Sequence, residues 1–147
     1  MGEACLKWSH IYTNPEGIYL SYTDKGHLGE VIANWPQEVV EIAVITDGSR
    51  ILGLGDLGVN GMGIPVGKLA LYVGCAGIHP ERTLPVTIDF GTDNEEFLAD
   101  ELYMGAKHKR VSEEQQREFM DEVIAALTAR WRRWVLGNYI IRRFALM

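Results

Sequence analysis

An α/β fold with a mainly parallel sheet flanked by helices is what this sequence predicts, on three observations. Residues 39–46, Val-Val-Glu-Ile-Ala-Val-Ile-Thr, are nearly continuously apolar, as a strand buried on both faces requires. Residues 17–23 and 84–90 are further β-branched and aromatic runs bounded by turn signals. Helical patterns alternate with them: strand, helix, strand, glycine-rich segment, helix, strand, long helix.

Each element has a local cause. The first strand ends at Asp24-Lys25-Gly26, a turn sequence. Leu28, Val31, Ile32 and Trp35 then fall at i, i+3, i+4 and i+7, and Pro36 closes that helix. The third strand carries Pro85 near its start, where a strand tolerates the missing N–H. Ser112 and Gln115 form a capping box that opens a long helix with the stripe Phe119, Met120, Val123, Ile124 and Leu127. A small-residue helix over 68–77 reads as fully buried.

Composition bounds the function. With 147 residues, 47% hydrophobic and 23% charged, the chain has the makings of one globular domain. Residues 1–129 hold nine basic and all 20 acidic side chains, a balance of −11, which argues against nucleic acid as a partner. Arg130, Arg132, Arg133, Arg142 and Arg143 make the last 18 residues basic, and that end reads as foreign or solvated. No run approaches the roughly 20 apolar residues of a membrane span. The first residues have neither a signal peptide's apolar core nor a transit peptide's composition, so a cytoplasmic or organellar location with no visible targeting segment is expected. Cys5 and Cys75 form no disulfide framework. His10, His27, His79 and His108 share no metal-ligand spacing. Asn94-Glu95-Glu96-Phe97 reads as a helix start rather than paired catalytic acids. Residues 107–110, Lys-His-Lys-Arg, read as a solvated loop.

The most informative segment runs from Ile51 to Lys68 and holds six glycines in 18 residues. Gly53, Gly55 and Gly58 match the dinucleotide spacing, but that fingerprint needs a strand running into its first glycine, and Asp47-Gly48-Ser49 turns the chain first. The Walker pattern fails too, because three residues separate Gly63 from Gly67 and Leu69 follows Lys68. A loop whose glycines permit positive φ and close backbone packing is the plainer account. Lys68 is the only charge between Asp56 and His79. A lysine in apolar surroundings must find a partner or give up its proton, which makes it a usable general base. Alternatively it lays its stem on the apolar surface and keeps its head in water. On pattern alone these two readings stand level.

Residues 51–68, Cys75-Ala76-Gly77-Ile78 with Pro80, the block from Leu84 to Asn94, and the triplets Asn34-Trp35-Pro36, Thr46-Asp47-Gly48 and Tyr103-Met104-Gly105 closely resemble malic enzymes. The resemblance spans residues 2 to 131 and implies a partial N-terminal, substrate-side domain over 1–131. It further implies oxidative decarboxylation of malate to pyruvate and carbon dioxide, with NAD or NADP and Mg2+ or Mn2+, in a homo-oligomer. By the same resemblance Lys68 takes the proton of the malate hydroxyl, and Arg50 holds a substrate carboxylate. A guanidinium suits that task, because it stays charged and binds carboxylates bidentately.

Other parts of the family pattern are expected to lie outside this sequence. The family's tyrosine acid precedes the position of Gly2, and its metal-binding acids follow Trp131, whereas residues 132–147 form a divergent basic tail with no carboxylate side chain. The NAD(P)-binding domain is expected to be absent, so no cofactor or metal ligand is assigned and the chain alone is expected to be inactive. The alternative is a non-catalytic protein that associates with full-length malic enzyme subunits.

Overall fold

The computed structural model describes residues 2–132 and the backbone of residues 135–140. Helices α1 (Gly2–Leu6) and α2 (Trp8–Ile11) lead into β1 (Ile18–Ser21), α3 (Leu28–Ala33) and β2 (Ile42–Thr46). A 3-10 turn, Gly58–Met62, runs directly into α4 (Gly63–Ala76), and β3 (Thr83–Asp89), α5 (Glu95–Ala99), α6 (Glu113–Arg130) and β4 (Val135–Ile140) follow. The strands form a four-stranded sheet in the order β1-β3-β2-β4, and every pairing is parallel. The predicted α/β class is therefore the observed one.

One face of the sheet carries the main core. Ile18 and Leu20 of β1, Ala43 and Ile45 of β2, and Leu84, Val86 and Ile88 of β3 alternate onto it. Helices α3 and α6 cover that face with Leu28, Ile32, Phe119, Met120, Val123 and Leu127. Phe90 meets Phe119 edge-on, with ring centroids 5.6 Å apart. The long helix starts as its sequence dictates: Ser112 Oγ accepts from Gln115 N, and the Gln115 side chain accepts from Ser112 N. The opposite face packs on α4, whose Leu69 is buried.

Pro85 sits in a central strand, yet its missing N–H costs no ladder bond. Its carbonyl faces Gly17, and in a parallel strand the N–H points to the same side as the carbonyl. Pairing with β1 begins only at Ile18 opposite Val86, so that position has no ladder partner to lose. A Cβ on Gly17 would collide with the Pro85 carbonyl oxygen, so the close approach needs glycine there.

Four expectations are corrected. The strand predicted over 39–46 begins only at Ile42, and the chain before it leans on the next strand's entry, where Glu41 N donates to Arg82 O at 2.8 Å. The first strand stops at Ser21, whose Oγ accepts from Thr23 N and turns the chain into the 3-10 segment Tyr22–Asp24. Helix α4 is not fully buried: its second half faces outward, with Leu71 62% exposed and Gly74, Cys75 and Ala76 open. Finally, the tail read as a foreign or solvated end holds β4, which lies along β2 with Gly137 as the extra residue opposite the Ala43–Val44 step. The tail expectations for Arg133, Trp134 and residues 141–147 lie outside the described residues. Among the described residues, no helix is long and apolar enough to cross a membrane.

Candidate functional site

In open α/β sheets, ligands bind beyond the carboxyl ends of the parallel strands. The glycine-rich segment lies there. Strand β2 ends at Thr46, whose Oγ1 accepts from Gly48 N at 3.1 Å. Asp47 Oδ1 then accepts from Ser49 N at 3.1 Å and from Ser49 Oγ at 2.8 Å, closing a tight turn. Gly48 has φ 65°, and a Cβ on it would collide with the Gly58 carbonyl. Its own carbonyl accepts from Leu57 N at 2.8 Å, so the chain returns to the place it left. Between these points, Ile51 and Gly55 exchange two backbone hydrogen bonds at 2.8 Å, leaving Leu52 wholly exposed at the tip.

This geometry removes the dinucleotide reading of Gly53, Gly55 and Gly58. No strand enters the first glycine, which sits in the reverse turn, and the third opens a 3-10 turn. All three glycines have positive φ, as a loop requires, but only Gly58 is tightly packed, with the Tyr103 hydroxyl where a Cβ would lie; the Cβ positions of Gly53 and Gly55 are open.

The structure adds a buried charge network that the sequence pattern concealed. Arg110, expected in a solvated loop, has a side chain only 6% exposed. Its Nη1 donates to Asp47 Oδ2 at 3.3 Å, and its Nη2 donates to the Asp47 carbonyl at 2.9 Å. The same guanidinium grips Asp56 twice, Nη2 to Oδ1 at 2.6 Å and Nε to Oδ2 at 3.0 Å. Asp56 also accepts from Gly58 N and Asp93 N. Burial pushes the Asp47 carboxyl above the usual range despite the Arg110 charge and the Ser49 bonds. Burial opposes ionisation of Asp56 as well, but there Arg110 and the two backbone N–H groups win and hold it low. The rest of the basic run does meet solvent, with Lys109 ion-paired to Glu95. No local signal in 107–110 reveals acids that lie more than 50 residues upstream.

The two residues singled out from the resemblance sit on either side of the glycine segment. Arg50 is exposed and directly follows the Asp47–Ser49 turn, while Lys68 is half-buried in the N-terminal half of α4. Its surroundings are thus less enclosed than the apolar sequence around it suggests. Among the described residues, neither has a side-chain hydrogen bond or an ion pair. A neighbouring cleft of about 520 Å³, lined by Tyr12, Tyr19, Ser21, Asp89 and Met104 among others, includes neither of them. Burial pushes the Tyr19 hydroxyl up to about 12, although Trp8 Nε1 donates to it at 2.8 Å.

The described residues hold no group of three or more His, Cys, Asp or Glu side chains placed to bind a metal ion. His10 instead pairs with Asp100 at 2.6 Å, and His79 Nδ1 accepts from Glu81 N. Asn94 caps α5 by accepting from Glu96 N, as its sequence suggested.

Comparison with known proteins decides the family. The family model for the malic enzyme N-terminal domain matches residues 1–139. The chain belongs to the malic enzyme family. It is 50% identical over 131 residues to the NADP-dependent malic enzyme of Mus musculus, covering 89% of this chain and 23% of the relative. Identity is 49% over 131 residues with the NAD-dependent malic enzyme of Idiomarina loihiensis, with the same shares covered. With the NADP-dependent malic enzyme 3 of Arabidopsis thaliana it is 51% over 139 residues, covering 95% of this chain and 24% of the relative. The chain thus spans about a quarter of the length of these malic enzymes. The family match runs beyond Trp131, where the resemblance read from sequence stopped, and into β4.

Proposed function

We propose that this chain forms the substrate-side part of a malic enzyme, which oxidatively decarboxylates malate to pyruvate and carbon dioxide. The observation that carries this is the pair Arg50 and Lys68: two cations without partners among the described residues, on the turn and helix that flank the glycine segment. Arg50 binds a malate carboxylate, and Lys68 Nζ takes the proton from the malate C2 hydroxyl. The reaction needs NAD or NADP and a divalent ion, Mg2+ or Mn2+. The described residues fit neither: they lack a metal cluster and the strand-to-glycine geometry of a dinucleotide site, so no step is assigned to either group here.

Replacing the matching segment of a full-length relative with residues 2–131 tests the proposal. The chimera should reduce NAD or NADP with malate and the metal. In it, Lys68→Ala should cut turnover about 10²- to 10⁴-fold. Arg50→Ala should mainly raise the Michaelis constant for malate, with turnover falling where the carboxylate is misaligned. Near-normal turnover in a folded Lys68→Ala chimera overturns the base assignment. A second reading, a non-catalytic chain joining full-length subunits into a mixed oligomer, is favoured by the exposed apolar side chains of Leu52 and Leu71. An inactive chimera, together with co-elution of the 147-residue chain with a full-length relative, would select it.

A further inference from the structure

We propose that Arg110 is a positioning residue for Arg50: its guanidinium ties together the two ends of the loop that presents Arg50 and occupies the acids that would otherwise capture it. The proposal rests on the reading of Arg50 as the substrate-binding arginine. Arg50 lies between Asp47 and Asp56, and both are held by this one side chain. Inside the loop, Ser49 is bonded to Asp47 Oδ1, and Ile51 is bonded twice to Gly55. The backbone on both sides of Arg50 is therefore fixed, while its side chain stays exposed and has no partner among the described residues. Such an arrangement sets the direction of a binding group without filling its binding position.

Charge makes the second half of the argument. Asp47 and Asp56 are the acidic side chains nearest to Arg50 along the chain. A free carboxylate there would compete with a carboxylate substrate for the same guanidinium. Arg110 takes both, Asp47 through Nη1 and Asp56 through Nη2 and Nε, while Nη2 also holds the Asp47 main-chain carbonyl. Lysine could not replace it, because a point-like ammonium lacks the planar fork that reaches two carboxylates and a carbonyl together.

Amide hydrogen exchange on the 147-residue chain, followed by NMR, tests this. The amides of Ser49, Leu57, Gly58 and Asp93 all donate within the clamped loops. In Arg110→Lys they should exchange about tenfold faster or more, while amides in β2 and β3 keep their rates. Unchanged exchange at those four amides overturns the proposal. So does uniform acceleration across the sheet, which would make Arg110 only a global stabiliser. Should Arg110→Lys fail to fold, Asp56→Asn carries the same measurement with the same outcomes. Malate titrated against the Arg50 Nε resonance separates the two claims. No response in the unmodified chain removes the reading of Arg50 as the substrate arginine. A response that Arg110→Lys leaves undiminished overturns the positioning role and leaves that reading standing.

Discussion

On one face of the sheet, Phe119, Val123 and Leu127 close over Ile18, Ile45, Val86 and Ile88; at the carboxyl ends of the strands, one guanidinium, two carboxylates and a glycine-to-glycine backbone contact do the closing. The first region is held by non-directional burial, where volume and pattern matter more than any single angle. The second is held by directional bonds and by backbone conformations that one side chain adopts and others do not. A change of a few atoms should therefore act in opposite ways in the two places. The core should respond to lost volume and forgive a change of shape. The loops should respond to added atoms and altered geometry, even where little area is buried.

The largest effect is expected in the core. Phe119 is fully buried and touches both Phe90 and Tyr22, with ring centroids 5.6 and 5.5 Å away. Phe119→Ala should cost about 3–5 kcal/mol, and Phe119→Leu, which retains most of the volume, much less. Urea denaturation of the two variants measures this. A small loss for the alanine would mean that α6 contributes little to holding the sheet.

The same contrast explains what was legible in the sequence. Periodicity reports burial on a regular element, so the stripe on α6, its capping box and the apolar β2 and β3 all stood in plain view. Contacts made across long loops leave no such trace. Arg110 sits in a run of basic residues that looks solvated, and its partners at Asp47 and Asp56 are distant in sequence. Two acids flanking a glycine-rich turn were visible, but nothing local says which cation they hold. Helix α4 misled for a related reason: small apolar residues signify close packing, yet half of them face outward among the described residues. Arg50 and Lys68 were found through resemblance, because neither composition nor spacing separates a ligand-binding cation from a solvated one.

A single added methyl group probes the second region. Gly48 combines φ 65° with a backbone contact to Gly58 that leaves no space for a Cβ. Gly48→Ala should cost about 1–3 kcal/mol from the left-handed conformation alone, with the collision added to it. Alanine at Gly26, which also has positive φ but nothing near its Cβ position, isolates the conformational part. Melting temperatures of both variants decide the matter. Equal losses would show that the Gly48–Gly58 contact relaxes freely, and the loops would then be less rigid than their hydrogen bonds imply.

The smallest effect lies inside the Arg110 network, where two carboxylates on one guanidinium titrate in opposite senses. An unfolded aspartate titrates near ~3.9. Asp56 is held below that value in the folded chain, so its contribution to stability is complete above about 3.9 and is lost as pH falls through its folded value. Asp47 is pushed above it, so its contribution is present below about 3.9 and is lost as pH rises through its folded value. The two slopes lie on opposite sides of the unfolded value, so together they give a stability maximum near ~3.9. Asp56→Asn should flatten the acid side of a plot of urea midpoint against pH. Asp47→Asn should flatten the side immediately above about 3.9, where the unmodified chain loses stability as Asp47 ionises. Asp93, whose carboxylate accepts from Arg110 N, is unchanged in all three proteins, so the differences report Asp47 and Asp56. If both variants instead run parallel to the unmodified chain, Arg110 does not discriminate between its partners. The clamp would then be a symmetric charge pair, its specificity residing in the Asp47–Ser49 turn rather than in the guanidinium.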